Sequence, residues 1–140
     1  MAAAECFTGS IGLRGEAELT VKPEDTAAHI SGGVLPSVVS TPRLLQLVED
    51  ATHQLATRHL TNGYTSVGFE VVLEHIAPSQ VGDTLTAEVL LEAAEDRNLT
   101  FRFTVEDKGS LREVARGTQT RRIVLMDDFM RKLRKDRSLL

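Results

Sequence analysis

The sequence has no tryptophan, one tyrosine and five phenylalanines, so aromatic residues make up only 4% of its 140 positions. Aliphatic side chains must therefore fill most of any interior. The single cysteine, Cys6, excludes an intrachain disulfide and fits a reducing compartment. No apolar run approaches the roughly 18–20 residues of a membrane span. The opening MAAAECFTGS has neither the charged stretch nor the apolar stretch of a secretion signal. Positive charge is not in excess either: the formal net charge is −4 at pH 7, which argues against a nucleic-acid partner. The four histidines show no His-x-x-x-His spacing and there is no cysteine cluster, so no metal is expected. These absences predict one cytoplasmic domain over residues 1–140 that works away from membranes and nucleic acids.

The apolar content, 41%, is enough for a core at this length. Ala17 to Val21 reads as a short strand, Lys22 to Asp25 as a turn, and His29 to Val39 as irregular, broken by Gly32-Gly33 and Pro36. Ser40-Thr41-Pro42 reads as a helix start, with the Thr41 hydroxyl as the cap and proline at the first helical position. The helix runs from about Pro42 to Leu60. Leu44, Leu47, Val48, Ala51 and Leu55 form its inner face, and Asn62-Gly63 closes it. The period then changes to two. Strands are expected over Thr65–Ile76, Thr84–Ala93, Asn98–Glu106 and Glu113–Leu125, joined by short turns as an antiparallel meander. Residues 127–140 read as a short basic helix or tail.

The class is therefore α+β. A curved antiparallel sheet of about five strands wraps one long central helix, because each has a single apolar face to bury. Hot-dog and cystatin-like architectures both fit this order, and the pattern alone does not separate them. A strand edge left open near the Phe101–Phe103 strand would be covered by two-fold pairing, which predicts a homodimer or a dimer of dimers.

Three residues stand out chemically. Thr41 offers a hydroxyl at a helix start, where backbone N–H groups favour negative charge. Glu49 lies two turns further, on the flank of the buried face. His75 ends a stripe of Val67, Phe69, Val71 and Leu73, which share its parity. Each has a plain reading beside the catalytic one: a cap, an exposed helix carboxylate near His53, and a satisfied strand-end imidazole. Together they are what an acyl-transfer site needs. Arginines gather late in the chain, among them Arg116, Arg121 and Arg122, and guanidinium groups suit phosphate.

From Val38 to Phe129 the sequence resembles the fluoroacetyl-CoA thioesterase family of hot-dog proteins. The likeness lies in Val39-Ser40-Thr41 with Leu47-Val48-Glu49-Asp50-Ala51, in Ser66-Val67-Gly68 with Leu73-Glu74-His75-Ile76-Ala77, and in Gly117-Thr118 through Arg121-Arg122 and Ile123-Val124. The resemblance implies the hot-dog fold and acyl-CoA hydrolysis by Thr41, Glu49 and His75, with Gly68 near the acyl group. It also implies dimers with two sites at the interface, and coenzyme A held by surface basic groups, with Arg121 and Arg122 as candidates. Coenzyme A is then part of the substrate, and no separate cofactor is implied. The fluoroacetyl-specific member carries a phenylalanine-rich lid before the helix. Here that stretch is Gly32-Gly33-Val34-Leu35-Pro36, shorter and without an aromatic, so Val34 and Leu35 point to small or medium apolar acyl chains. Two rivals remain: a non-catalytic module that binds acyl-CoA or another small ligand, and a structural subunit in which a partner covers the helix flank at Glu49.

Overall fold

The computed structural model describes Phe7 and residues 10–136. Cys6 and the last four residues of the basic tail lie outside them. The elements are β1 (Arg14–Thr20), a single 3-10 turn at Pro23–Asp25, α1 (Ala27–Ile30), α2 (Thr41–Thr57), β2 (Tyr64–His75), β3 (Thr84–Glu95), β4 (Asn98–Asp107), β5 (Glu113–Leu125) and α3 (Met126–Lys135). The expected basic helix is thus α3.

The sheet is five-stranded and antiparallel in the order β1-β3-β4-β5-β2. This corrects the meander. Strands β3, β4 and β5 follow one another as hairpins, but β2 pairs with β5 rather than with its successor. Residues 76–83 carry the chain from β2 across to β3. Backbone bonds hold this crossing segment to the chain ahead of α2 and to the end of β1: Val39 N–H donates to the Ser79 carbonyl at 2.8 Å, and Val21 N–H to the Asp83 carbonyl at 2.8 Å. The crossing therefore runs over the start of α2 and brings the end of β2 there.

The helix face expected to be buried is buried: Leu44, Leu47, Val48, Ala51 and Leu55 meet Leu85, Val89, Leu91, Leu99, Phe101, Phe103 and Ile123 from the sheet. Each such large side chain contributes about 1.5–3 kcal/mol by leaving water. The open edge is not beside Phe101 and Phe103. Strand β4 is paired on both sides, and the free edges belong to β1 and β2. On β2, Phe69, Val71 and Val72 remain exposed, Val72 at 63%.

A bulge also splits the expected β2 stripe. Gly68 pairs with Arg121 and Glu70 with Thr120, which leaves Phe69 unpaired. Directly paired residues of an antiparallel ladder share a face. Gly68 opposite buried Arg121, and His75 opposite buried Ala115, therefore both face the helix, although their parities differ. Gly117 lets β2 approach closely here: a Cβ on it would lie 1.8 Å from the Val72 carbonyl oxygen.

Candidate active site

The helix start differs from expectation by one residue. Ser40 is the N-cap, its Oγ accepting from Arg43 N–H at 3.2 Å, while Thr41 is the first helical residue and Pro42 the second. The Asp25 carboxylate accepts from Arg43 Nε at 2.9 Å and from Lys22 N–H at 2.8 Å, and the Asp25 carbonyl accepts from Ser40 N–H at 2.9 Å. With Ser40 serving as the cap, the Thr41 hydroxyl is free of backbone duty. It shares a 2.8 Å hydrogen bond with His75 Nδ1. The other ring nitrogen, Nε2, is buried without a partner among the described residues. It is the atom left for a reacting group.

Glu49 occupies a second cluster. A Cβ at Gly68 would lie 3.0 Å from Glu49 Oε1, 3.0 Å from Gln119 Nε2 and 3.5 Å from Arg121 Nη1. Only glycine leaves this space open. A cleft of about 220 Å³ lies there, lined by Glu49, Gly68, Phe69, Glu70, Val71 and Gln119. Thr52, wholly buried on α2, donates to Gln119 Oε1 at 2.6 Å, which turns the amide N–H groups toward the carboxylate. Arg121 donates from Nε to Ser66 Oγ at 2.8 Å and from Nη2 to the Ser66 carbonyl at 2.9 Å, while its buried Nη1 has no partner among the described residues. Burial holds this guanidinium below the usual arginine pKa, partly offset by the charge of Glu49.

Within one chain, then, the structure joins Thr41 to His75 and Glu49 to Gly68, but does not unite all three catalytic candidates. Thr41 and Glu49 are eight positions apart on α2, about 12 Å along its axis. Gly68 and His75 are about 20 Å apart along β2. Within one chain these are two separate clusters.

The remaining candidates lie elsewhere. Arg121 is not a surface phosphate contact, because its guanidinium is anchored inside on Ser66. Arg122 points to the opposite face of the sheet, 4.4 Å over the Phe69 ring, with Nε donating to Asn98 Oδ1 at 3.2 Å. Val34 and Leu35 sit in the loop between α1 and α2, 83% and 50% exposed, after Gly32 and Gly33 in left-handed conformations. Sequence reasoning missed Thr52, Ser66 and Gln119. The available signal was Gln119 itself, a polar residue on the same strand face as Ala115 and Ile123. Among the described residues no helix is long and apolar enough to cross a membrane.

The family model described as fluoroacetyl-CoA-specific thioesterase matches residues 21–127. The fluoroacetyl-CoA thioesterase of Streptantibioticus cattleyicolor is 26% identical over 130 residues, covering 89% of this chain and 92% of that protein. A solved structure of a fluoroacetyl-CoA thioesterase superposes with a TM-score of 0.82 at 26% identity, over 89% of this chain and 95% of the other. A hot-dog-like protein from Thermanaerovibrio acidaminovorans gives 0.84 at 24% identity, over 97% of both chains, and supports the fold alone. The sheet order, the long helix inside it and the matched span lead to one assignment: the chain is a hot-dog protein and belongs to the fluoroacetyl-CoA-specific thioesterase family.

Proposed function

We propose that the protein hydrolyses small or medium acyl-CoA thioesters at composite sites in a homodimer, each built from Thr41 and His75 of one protomer and Glu49 and Gly68 of the other. Membership of the family makes the chain a thioester hydrolase. The composite site is supported by one observation, the exposed β2 edge. An antiparallel pairing of two β2 edges about a two-fold axis at Val72, with bulged Phe69 out of the count, sets His75 opposite Gly68 of the second copy. Both face the helices because of the bulge. The partner's Glu49 then faces the Thr41–His75 pair, and Val72 is covered.

In that arrangement the thioester carbonyl lies at the start of α2, where the helix dipole and the Thr41 N–H stabilise the developing oxyanion, while the Thr41 hydroxyl, donating to Nδ1, holds His75 with its Nε2 proton toward the sulfur. Glu49 takes a proton from a water that attacks the carbonyl carbon, or attacks it directly to give an acyl-glutamyl anhydride that a water then hydrolyses, restoring the carboxylate. The tetrahedral intermediate collapses, the C–S bond breaks, and His75 Nε2 hands a proton to the departing thiolate. Gln119, fixed by Thr52, turns N–H groups toward the carboxylate. The only cofactor-like group required is the coenzyme A of the substrate itself. Residues 32–36 carry no aromatic, which supports small or medium apolar acyl chains rather than fluoroacetyl. The lone cysteine, which excludes an intrachain disulfide, fits a cytoplasmic setting.

Thiol release over a panel of acyl-CoAs tests the reading. Glu49→Gln and His75→Ala should each lower turnover by about 10²–10⁴. Wild-type turnover retained in both variants would remove these roles.

A further inference from the structure

We infer that Thr52 and Gln119 are positioning residues for hydrolysis: the Thr52 hydroxyl fixes the Gln119 amide so that its N–H groups, not its carbonyl, face the Glu49 carboxylate and hold it aimed at the thioester. The inference rests on the thioesterase reading above, in which Glu49 reacts. Stability does not account for this pair. Thr52 on α2 is wholly buried and Gln119 on β5 is 1% exposed, on faces that otherwise carry Val48, Leu55, Ala115 and Ile123. Two apolar side chains of matching shape would pack in their place at little or no cost. A polar pair kept inside such a core calls for a role beyond packing.

The hydroxyl sets the direction of the amide. Thr52 could return its proton to its own helix, where the Glu49 carbonyl lies 3.2 Å away. Gln119 Oε1 is closer, at 2.6 Å, a separation that suits O–H···O and is short for N–H···O. The amide oxygen is thereby engaged, and Nε2 turns to the other side. There Gln119 Nε2 and Glu49 Oε1 each lie 3.0 Å from the place a Gly68 Cβ would take, so amide and carboxylate border one small space. A reversed amide would set its oxygen against the carboxylate oxygens. Thr52 stands one turn beyond Glu49 on α2, so the anchor and the carboxylate share a rigid element. The neighbouring charges do not depend on Thr52. Arg121 Nη1 borders the same space, but its guanidinium is anchored on Ser66, and Glu70 on the cleft wall carries a like charge. Gln119 is the group through which Thr52 acts on Glu49.

The test measures kcat and KM on the acyl-CoA that wild type turns over fastest. Thr52→Val frees the amide to reverse and should lower kcat by about 10–100-fold with KM within about threefold, because Gln119 acts through Glu49 rather than on the ester. Thr52→Ser keeps the hydroxyl and should restore kcat to within about threefold of wild type. The Thr52→Val/Gln119→Leu double variant leaves no buried polar atom unpaired, so it should regain stability while kcat stays low. In a Glu49→Gln background, Thr52→Val should have no further effect on kcat, since an amide at that position accepts either orientation of Gln119. Wild-type kcat in Thr52→Val, or kcat recovered together with stability in the double variant, would overturn the inference and show a packing role. If Thr52→Val does not fold, the double variant decides by the same criterion. If wild type hydrolyses no ester on the panel, the thioesterase reading fails and the inference falls with it; a wild type that is active and a Glu49→Gln that is not, beside unaffected Thr52 variants, would sink the inference alone.

Discussion

If Thr41 and His75 act with the partner's Glu49, two dead variants should rescue one another. Glu49→Gln removes the carboxylate from one half-site, and His75→Ala removes the imidazole from the other. Alone, each homodimer has both sites broken and should retain about 10⁻²–10⁻⁴ of wild-type turnover. In a mixed dimer the two lesions fall together in one site, and the other site receives an intact Glu49 and an intact His75. Random exchange at equal concentrations makes about half of the dimers mixed, each with one working site of two, so the mixture should recover about a quarter of wild-type activity. The assay is thiol release after co-refolding the two variants, with tagged chains to confirm exchange. The separations behind the expectation are about 12 Å between Thr41 and Glu49 along α2 and about 20 Å between Gly68 and His75 along β2. Confirmed exchange with activity no higher than the two variants alone would show that the three groups act within one chain, and would refute the composite site.

Two further outcomes follow from the local geometry. Ser40→Ala should cost about 0.5–2 kcal/mol in chemical denaturation by removing the cap, whereas Thr41→Val should leave stability within about 0.5 kcal/mol and lower kcat instead; the reverse pattern would mean that Thr41 is the working cap. Gly117→Ala drives a methyl group to 1.8 Å from the Val72 carbonyl, so it should destabilise the fold by about 1–3 kcal/mol or more and loosen β2 first, read as faster amide exchange on β2 than on β4.

Much of this molecule is written locally. The inner face of α2 and the buried faces of β3 and β4 follow from periodicities of 3.6 and two, which depend on neighbours in the chain. The partner of β2 does not. Nothing within Tyr64–His75 encodes adjacency to β5, which is fixed by the crossing segment and by the space that Gly117 leaves. Ser40 and Thr41 are both competent caps, and the choice between them is made by Asp25 and His75, both distant in sequence, together with neighbouring Arg43. The candidate chemistry was legible as three residues. Their division between two clusters was not, because it depends on a one-residue bulge and on the direction of an edge strand.

That extra residue at Phe69 works as a phase shifter. A strand offers only two settings, inward or outward, so shortening it by one would not nudge the groups it carries: either the carboxylate's niche or the imidazole would be turned out to the solvent side. Chain length at this point is therefore under tighter constraint than chemistry. Many side chains could stand where Phe69 stands, but one must stand there, and relatives that keep both halves of the machinery should carry the same count of residues between them.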